Sequence, residues 1–454
     1  MYIFSNKLKT FAFILMALGI VGIAIGFMNA PSTTQEVEQI LQARDHGHHG
    51  AAAAHDAHHT ESVAANAAAD NHTADLHAEA HEKHLNHVLH GLQNRPWAAV
   101  YVACIFALLI SVGALAFYAI QNAAQAGWSP VLFRVMEGIT GYLLPGSVLF
   151  LILLVLSGLH MNHLFVWMAD GITDPTSANY DFIVAGKSAY LNVPRWLITA
   201  VVILAGWNYY RFYARKHSIA QDSASDITDY KKIFKASAAF LAFFIVTESI
   251  ASWDWIMSID PHWYSTLYGW YVLASFLVSA VTVIAMVTIY LRANGYLPTV
   301  NTSHLHDLAK FMFGLSIFWT YLWFSQFMLQ WYSNIPEEVV YFISRIENYN
   351  LPFFGMLFFN FLFPLLILIN TDFKRLTWII VMVGIFILVG HYLDFYLMIM
   401  PGTVGNEWFI GAPELGAIAF FAGLLIYCTF STIAKQPLVA KHNPLIEESE
   451  HFHY

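Results

Sequence analysis

Long apolar segments separated by short polar segments dominate the chain. Ten of these segments reach the roughly 20 residues with which a helix crosses about 30 Å of hydrocarbon. They lie at about 9–28, 97–121, 132–159, 194–213, 233–256, 266–291, 308–332, 352–371, 376–400 and 414–434. The pattern predicts an all-α polytopic membrane protein with about ten transmembrane helices. The fourth segment is the weakest, because Arg195 opens it and Asn208 interrupts it.

The polar segments divide the chain into four predicted parts. These are a first transmembrane helix or signal anchor at 1–30, a histidine-rich periplasmic insertion at 31–95, a transmembrane bundle domain at 96–435 and a cytoplasmic tail at 436–454. The first apolar segment is long for a signal peptide, so we expect a retained helix. Its Gly22 and Gly26 form a GxxxG pair that predicts packing against another helix. Pro145 and Pro364 lie inside predicted spans and should kink them.

Composition supports a membrane location. Hydrophobic residues make up 58% of the chain and charged residues 11%, against about 25% charged in soluble domains. The net charge of −9 and the absence of a basic stripe argue against nucleic acid as a partner. Cys104 and Cys428 lie far apart, and no haem-attachment or iron–sulfur cysteine motif occurs. Any redox centre held through cysteine therefore belongs to a partner subunit.

Lysine and arginine predict the orientation, because they concentrate on the cytoplasmic side of a membrane. If the chain begins in the cytoplasm and the spans alternate, basic residues divide 15 inside to 6 outside. The segment RFYARKHSIAQDSASDITDYKKIFK supplies six of the inside set. We therefore predict a bacterial inner-membrane protein with both termini cytoplasmic and the histidine-rich segment periplasmic.

The segment at 31–95 differs in kind from the rest of the chain. It holds twelve of the 22 histidines, as in DHGHHGAAAAHDAHH. Such a tract can bind zinc, copper or nickel, but its spacing fits no fixed coordination geometry, so no defined metal site is predicted. The preferred interpretation is a largely disordered periplasmic insertion, and metal buffering is the alternative. Later histidines in it, His77, His81, His84 and His87, recur at three to four residues and would share one helix face.

Ionisable residues at membrane depth indicate function, because burying them in lipid is costly. Glu248 lies within the fifth span, and Asp254 follows six residues later on a different helix face. Both are candidates for a proton relay or a quinone-adjacent role. Asp260 precedes Pro261 and is expected to cap the turn.

Two histidine groups are further candidates. His391 and Asp394 share a helix face and could form an acid–base relay or a simple hydrogen bond between helices. His160, His163, Trp167 and Asp170 would form a stripe at the end of the third span if its helix continues. That stripe would bind a quinone head group or relay protons, or cap the helix at the interface. A haem b held by His391 together with His160 or His163 is neither excluded nor supported by the sequence. Glu337 and Glu338 are expected in a solvated loop.

Three motifs carry a resemblance to a known family. SWDWIMSIDPHWYSTLYGWY, WYSNIPEEVVYF and GHYLDFYLMIMP are similar to ActF-type membrane subunits of alternative complex III, a bacterial quinol:cytochrome c oxidoreductase. The resemblance covers about residues 97–435. It implies the NrfD/PsrC-like fold, with two four-helix bundles plus extra helices and ten spans. The histidine-rich segment matches no common pattern of the family.

The resemblance also implies a role inside a respiratory complex. The chain would hold no covalently bound cofactor, with quinone or quinol as its small-molecule ligand and iron–sulfur and haem c groups in partner subunits. Implied partners are an ActC-like membrane subunit, an iron–sulfur subunit, c-type cytochrome subunits, membrane lipid and, as a further candidate, a terminal oxidase. Quinol oxidation would release protons, for which the acids and histidines above would line a path. Two alternatives remain, a purely structural scaffold subunit and a metal or ion transporter.

Overall fold

The computed structural model describes residues 2–48 and 70–453, and the side chains within this range except those of 43–48 and 70–80. No β-strand occurs in these ranges. The helices of the first half are α1 Asn6–Met28, α2 Thr34–His48, α3 Asp70–Ala123, α4 Phe133–Ile139, α5 Leu143–Gly158, α6 Phe182–Gly186, α7 Val193–Gln221 and α8 Thr228–Trp255. Those of the second half are α9 Tyr268–Ala293, α10 Thr302–Ser333, α11 Pro336–Asn348, α12 Asn350–Leu357, α13 Phe363–Leu368, α14 Thr377–Val404, α15 Ala412–Ile433 and α16 Ile446–Glu450.

The all-α polytopic class is confirmed. Within the described ranges, nine helices or helical segments are long and apolar enough to cross a membrane. The predicted fourth span corresponds to α7, which is not among the nine. With 29 residues, α7 is about 43 Å long at 1.5 Å per residue and packs along α8. It is therefore about as long as α8 beside it despite its polar residues, several of which bond to α4, α5 and α8.

Two rings of four helices form the body of the protein. In the first, α3 packs on α5, α5 on α7, α7 on α8, and α8 returns to α3. In the second, α12 and α13 are consecutive parts of one broken helix and count as one. Helix α9 packs on α10, α10 on the α13 part, the α12 part on α14, and α14 returns to α9. The rings join where α3 contacts both α9 and α14. This is the expected pair of four-helix bundles, with α1 and α15 as extra helices.

The predicted packing of Gly22 and Gly26 is confirmed. Helix α1 lies along α15, and a Cβ added to Gly22 would lie 2.8 Å from the Cα of Gly416. A Cβ added to Gly26 would meet Pro413. Small residues let the two backbones approach closely, which is how helices associate in lipid.

Both prolines coincide with interruptions of helical geometry. Pro145 lies near the start of α5, directly after a 3₁₀ turn at Thr140–Tyr142. Pro364 lies at the start of α13, directly after a π-helical turn at Phe358–Leu362. Because proline has no N–H to donate, the regular hydrogen-bond ladder breaks on its N-terminal side.

The described part of the histidine-rich segment is mostly helical. Residues 34–48 form α2, and residues 70–95 belong to α3, which continues into the first bundle as one helix of 54 residues. The predicted boundary between residues 95 and 96 therefore lies inside a helix. Val37 of α2 packs against Leu85, Val88 and Leu92 of α3, and this apolar contact stabilises the extension. Residues 49–69 lie outside the described part of the chain.

Loops gather at two opposite ends of the bundles. One end holds Asn301 bonded to Phe452 at 2.6 Å and Lys441 bonded to Asp222 at 3.0 Å. The other holds Lys187 bonded to Pro261 at 2.6 Å. These are the ends predicted to be cytoplasmic and periplasmic, and they are called the inner and the outer end below. Which side of a membrane each faces stays a prediction.

Candidate functional site

A fully buried polar network lies in the second bundle around Asp394 of α14. Its Oδ2 accepts hydrogen bonds from Ser275 Oγ of α9 and Trp319 Nε1 of α10, each at 2.8 Å. Its Oδ1 accepts from the Tyr271 hydroxyl. Three helices thus converge on one carboxylate, and Asp394, Ser275 and Trp319 have no exposed surface.

His391 extends this network by one step. Its Nδ1 lies 2.9 Å from Ser275 Oγ and 3.7 Å from Asp394 Oδ2. Because the Ser275 hydroxyl donates to Asp394, it accepts from His391, so Nδ1 carries the proton and Nε2 is the basic nitrogen. That Nε2 is buried without a hydrogen-bond partner in the described part of the chain. The predicted pair of His391 and Asp394 is therefore brought together, with Ser275 as a bridge.

Aromatic residues lead from this network toward the outer end. The Tyr271 ring lies 5.9 Å from that of Tyr268, which lies 5.5 Å from that of Trp263. Trp263 stacks on Tyr341 with ring centroids 4.0 Å apart. The guanidinium carbon of Arg345 lies 3.4 Å from the Tyr341 ring centroid. A cavity of about 10 Å³ beside Tyr271 is near the smallest volume that holds one water.

A cavity of about 430 Å³ opens where this row of aromatic residues ends. Trp263, Lys187, Tyr190 and Trp253 line it. Partial burial lowers the pKa of Lys187, whose Nζ also lies 5.0 Å from the Tyr264 ring centroid. Burial raises the pKa of Tyr190 to about 12, and the nearby Asp254 charge adds to this rise. The cavity therefore combines aromatic walls with one cation.

Glu248 occupies a separate buried site in the first bundle. Its Oε1 accepts from Ser252 Oγ at 3.0 Å and its Oε2 lies 3.5 Å from Ser249 Oγ, both on its own helix. Trp207, Trp255 and Phe276 enclose it. Within the described residues, no hydrogen bond links Glu248 to Asp254 or to Asp394, so its place in a relay stays a prediction.

Asp254 forms an ion pair at the outer end of α8. Its Oδ1 lies 2.7 Å from Arg195 Nη1, and the Arg195 guanidinium lies over the Tyr190 ring at 3.7 Å. The second oxygen, Oδ2, is buried without a partner in the described part of the chain. As predicted from their spacing, Asp254 and Glu248 do not form one carboxylate pair.

The predicted stripe of His160, His163, Trp167 and Asp170 does not form on one helix. Helix α5 ends at Gly158, and His160 has a left-handed φ of 57°. The chain then turns, so Trp167 is buried with its ring 5.8 Å from that of Trp196, while Asp170 is exposed. The apolar segment ends at Leu159, one residue after α5, so the stripe depended on a continuation of the helix that does not occur.

His160 and His163 nevertheless share a cavity of about 410 Å³ at the outer end. Its wall includes His87, His90, Asn94 and Asn162. Asn94 holds it together: it exchanges two hydrogen bonds with the His163 backbone, at 3.0 and 3.1 Å. Asn162, which is 5% exposed, leaves its Nδ2 donor unpartnered within the described residues. The exposed imidazoles of His160 and His163 can exchange hydrogen bonds with a carbonyl or hydroxyl group in this histidine cavity.

Sequence reasoning missed Tyr271, Ser275 and Trp319. A signal existed for two of them, since Tyr271 and Ser275 are polar positions four residues apart in an otherwise apolar span and so share a face. Glu337 and Glu338, expected in a loop, lie in the first turn of α11. There they favour the helix, because acidic residues stabilise an N-terminus.

Neither a metal site among the described residues nor a match to a known family marks this chain. In the ranges the structure describes, no group of three or more His, Cys, Asp or Glu side chains is arranged to hold a metal ion. The chain matches no family model and no curated protein sequence.

Proposed function

We propose that the chain is an integral membrane subunit of a quinol:cytochrome c oxidoreductase of the alternative complex III type. It supports quinol oxidation and conducts protons, and it passes no electrons through a centre of its own. The observation that carries the proposal is the buried network of Asp394, His391 and Ser275, since ionisable groups inside a membrane bundle are costly unless they serve a purpose. The motif resemblance supplies the kind of complex.

In this proposal, the network carries protons toward the outer end. His391 Nε2 is the free base of the network, and the Ser275 hydroxyl couples its protonation to Asp394. Protonation at Nε2 would place a positive charge within 4 Å of the Asp394 carboxylate, which compensates it. Tyr271 and the small cavity beside it lie on the path toward the outer end, where protons from quinol would be released.

The histidine cavity fits a quinol head group. The exposed imidazoles of His160 and His163 can donate to a quinone oxygen or accept from the hydroxyl groups of quinol. Quinol supplies two electrons and two protons. Electrons would go to iron–sulfur and haem c groups of partner subunits at the outer end, beside an ActC-like membrane subunit. The proposed setting is a bacterial inner membrane with both termini in the cytoplasm.

Two matched serine variants test the relay. Ser275→Ala removes the bridge between His391 and Asp394, whereas Ser279→Ala removes an equally buried hydroxyl one turn away that bonds only to the Ser275 carbonyl, at 2.8 Å. In the purified complex, Ser275→Ala should lower quinol:cytochrome c turnover and proton release about tenfold, and Asp394→Asn by about 100-fold or more. Ser279→Ala should leave both unchanged.

Assembly and cofactor content must match wild type in each variant. Equal turnover and proton release in all three variants would contradict the relay. That result would favour the scaffold function, which one observation also supports: Asp394 joins α9, α10 and α14, as a purely structural cross-link would. No arrangement of described residues favours the metal transporter.

A further inference from the structure

A second polar cluster lies at the inner end, away from the sites above. Arg211 of α7 is 8% exposed, yet its guanidinium donates no hydrogen bond to any residue that the structure describes. Its Nε is enclosed without a partner, and its nearest aromatic contact is Phe212, whose ring centroid lies 4.9 Å away. A buried guanidinium without an acceptor is destabilising, so this arginine is expected to bind an anion.

The neighbouring carboxylates do not supply that anion. Arg134 binds Glu137 at 3.0 Å and Asp222 at 2.7 Å. Glu137 also accepts from Ser218 at 2.5 Å and from Tyr118 at 3.3 Å. Arg215, one turn beyond Arg211, makes a single hydrogen bond to the Thr432 carbonyl at 3.2 Å. Two arginines thus lie side by side without a carboxylate of their own.

Helices α5, α7 and α15 frame the position of Arg211. Asn208, one turn earlier on α7, bonds to Ser147 of α5 at 2.9 Å. On the α15 side, the Thr432 carbonyl accepts from Arg215 at 3.2 Å and from the Lys435 backbone N–H at 3.4 Å. The cations Arg211, Arg215 and Lys435 therefore lie in one region at the inner end, bounded by α5, α7 and α15 and called the groove below.

The flanks of this groove suit a lipid better than a soluble anion. Tyr209, Phe212 and Leu144 are 70%, 50% and 43% exposed, and these apolar surfaces can cover acyl chains. A guanidinium binds a phosphate through two parallel hydrogen bonds. Basic pockets between membrane helices on the cytoplasmic side are typical binding sites for anionic lipid head groups.

We propose that Arg211, with Arg215 and Lys435, binds the phosphate of an anionic glycerophospholipid in the groove between α5, α7 and α15. The site does not depend on the function proposed above. Bound lipid supplies the acceptor that Arg211 lacks and links the inner ends of the first bundle and α15.

Native mass spectrometry of the full chain in a nonionic detergent tests this site. The probes are phosphatidylglycerol and phosphatidylcholine with identical acyl chains. Wild type should bind phosphatidylglycerol about tenfold more tightly, and Arg211→Gln should lose that preference. Lys216→Gln removes an exposed positive charge from the same helix and should keep it. Arg211→Lys retains charge without the planar fork and should give an intermediate preference.

Equal binding of the two lipids by wild type would overturn the proposal, as would an unchanged preference in Arg211→Gln. Displacement of the lipid by millimolar inorganic phosphate would also overturn it, since the site would then bind a soluble anion. If Arg211→Gln does not fold, the wild-type preference and the Arg211→Lys comparison still decide the outcome.

Discussion

At the scale of single residues, Asp394 and Glu248 show that buried acids in one protein can have different surroundings. Asp394 joins three helices and is coupled to a histidine, whereas Glu248 bonds only to serines of its own helix. The spacing of His391 and Asp394 predicts their shared face, because both lie on one helix. Their partners Ser275 and Trp319 come from other helices, and only the packing of the bundle brings them near.

Asp181 gives a pH-dependent prediction at the outer end. Its Oδ1 accepts from the backbone N–H groups of Ile183 and Val184, which begin α6, at 2.8 and 3.1 Å. The Val184 N–H, followed by the side chain of His262, holds the pKa of Asp181 below its usual range. The stabilisation is therefore complete above the unfolded pKa of about 3.9 and is lost as pH falls through the lower folded value.

We expect hydrogen-exchange protection of the Val184 amide, corrected for the intrinsic rate, to fall below about pH 4. Asp181→Asn keeps a capping oxygen without a titratable charge, so its protection should not depend on pH. Asp181→Ala should destabilise α6 by about 1 kcal/mol at neutral pH. Identical pH profiles for wild type and Asp181→Asn would contradict this role.

At the scale of elements, the apolar pattern predicts most helices, including the end of α5, which lies one residue before the end of the apolar segment at 132–159. It understates α7, whose Asn208, Arg211 and Arg215 reduce its apolar character. Asn208 bonds to Ser147 of α5 and Arg215 to Thr432 of α15, and a single segment does not reveal such tertiary contacts.

The contact between α1 and α15 gives a prediction at this scale. A Cβ added to Gly416 would lie within 3 Å of the Gly22 Cα and of two backbone atoms, the Ile23 nitrogen and the Gly19 carbonyl oxygen. Backbone cannot move aside as a flexible side chain does, so Gly416→Ile should separate the helices. We expect a loss of about 1–3 kcal/mol in the free energy of unfolding, measured by denaturant unfolding in detergent.

Gly314→Ile is the matched control, because nothing lies within 4 Å of a Cβ added to this helical glycine of α10. Both changes alter helix propensity alike, so the difference between them reports the α1–α15 contact. Equal unfolding free energies for the two variants would show that close approach of the backbones does not matter.

At the scale of the whole molecule, the alternation of basic residues predicts which loops share an end, and the contacts of the C-terminal tail agree with that grouping. The two bundles were implied by the motif resemblance rather than by periodicity, since periodicity does not say which helices meet. The helical extension of α3 agrees with the helix face predicted for its histidines. Its continuity with the first bundle was not expected, because the histidine- and alanine-rich segment differs so much in composition from the apolar span.

A deletion separates the histidine tract from the proposed respiratory role. Removing residues 49–69 should leave quinol turnover of the purified complex unchanged, while lowering the amount of Zn²⁺ bound per chain, because four histidines are lost. A longer deletion of residues 31–95 should impair assembly. It removes Asn94, which holds the histidine cavity, and Arg95, which pairs with Glu414 at 2.7 Å. Loss of turnover in the shorter deletion would tie the tract to function.

Helix α3 has a mechanical consequence for the bundle. From Asp70 to Asn86, before the residues that line the histidine cavity, it extends about 25 Å beyond the bundle, and further along Pro96 removes one hydrogen bond. A partner bound to the far end would apply torque about this weakened point. Because the same helix runs on between both bundles, the load would reach the packing of α9 and α14 and thereby the spacing between Ser275 and Asp394. Binding at the far end of α3 would in this way set the geometry of the proposed proton site.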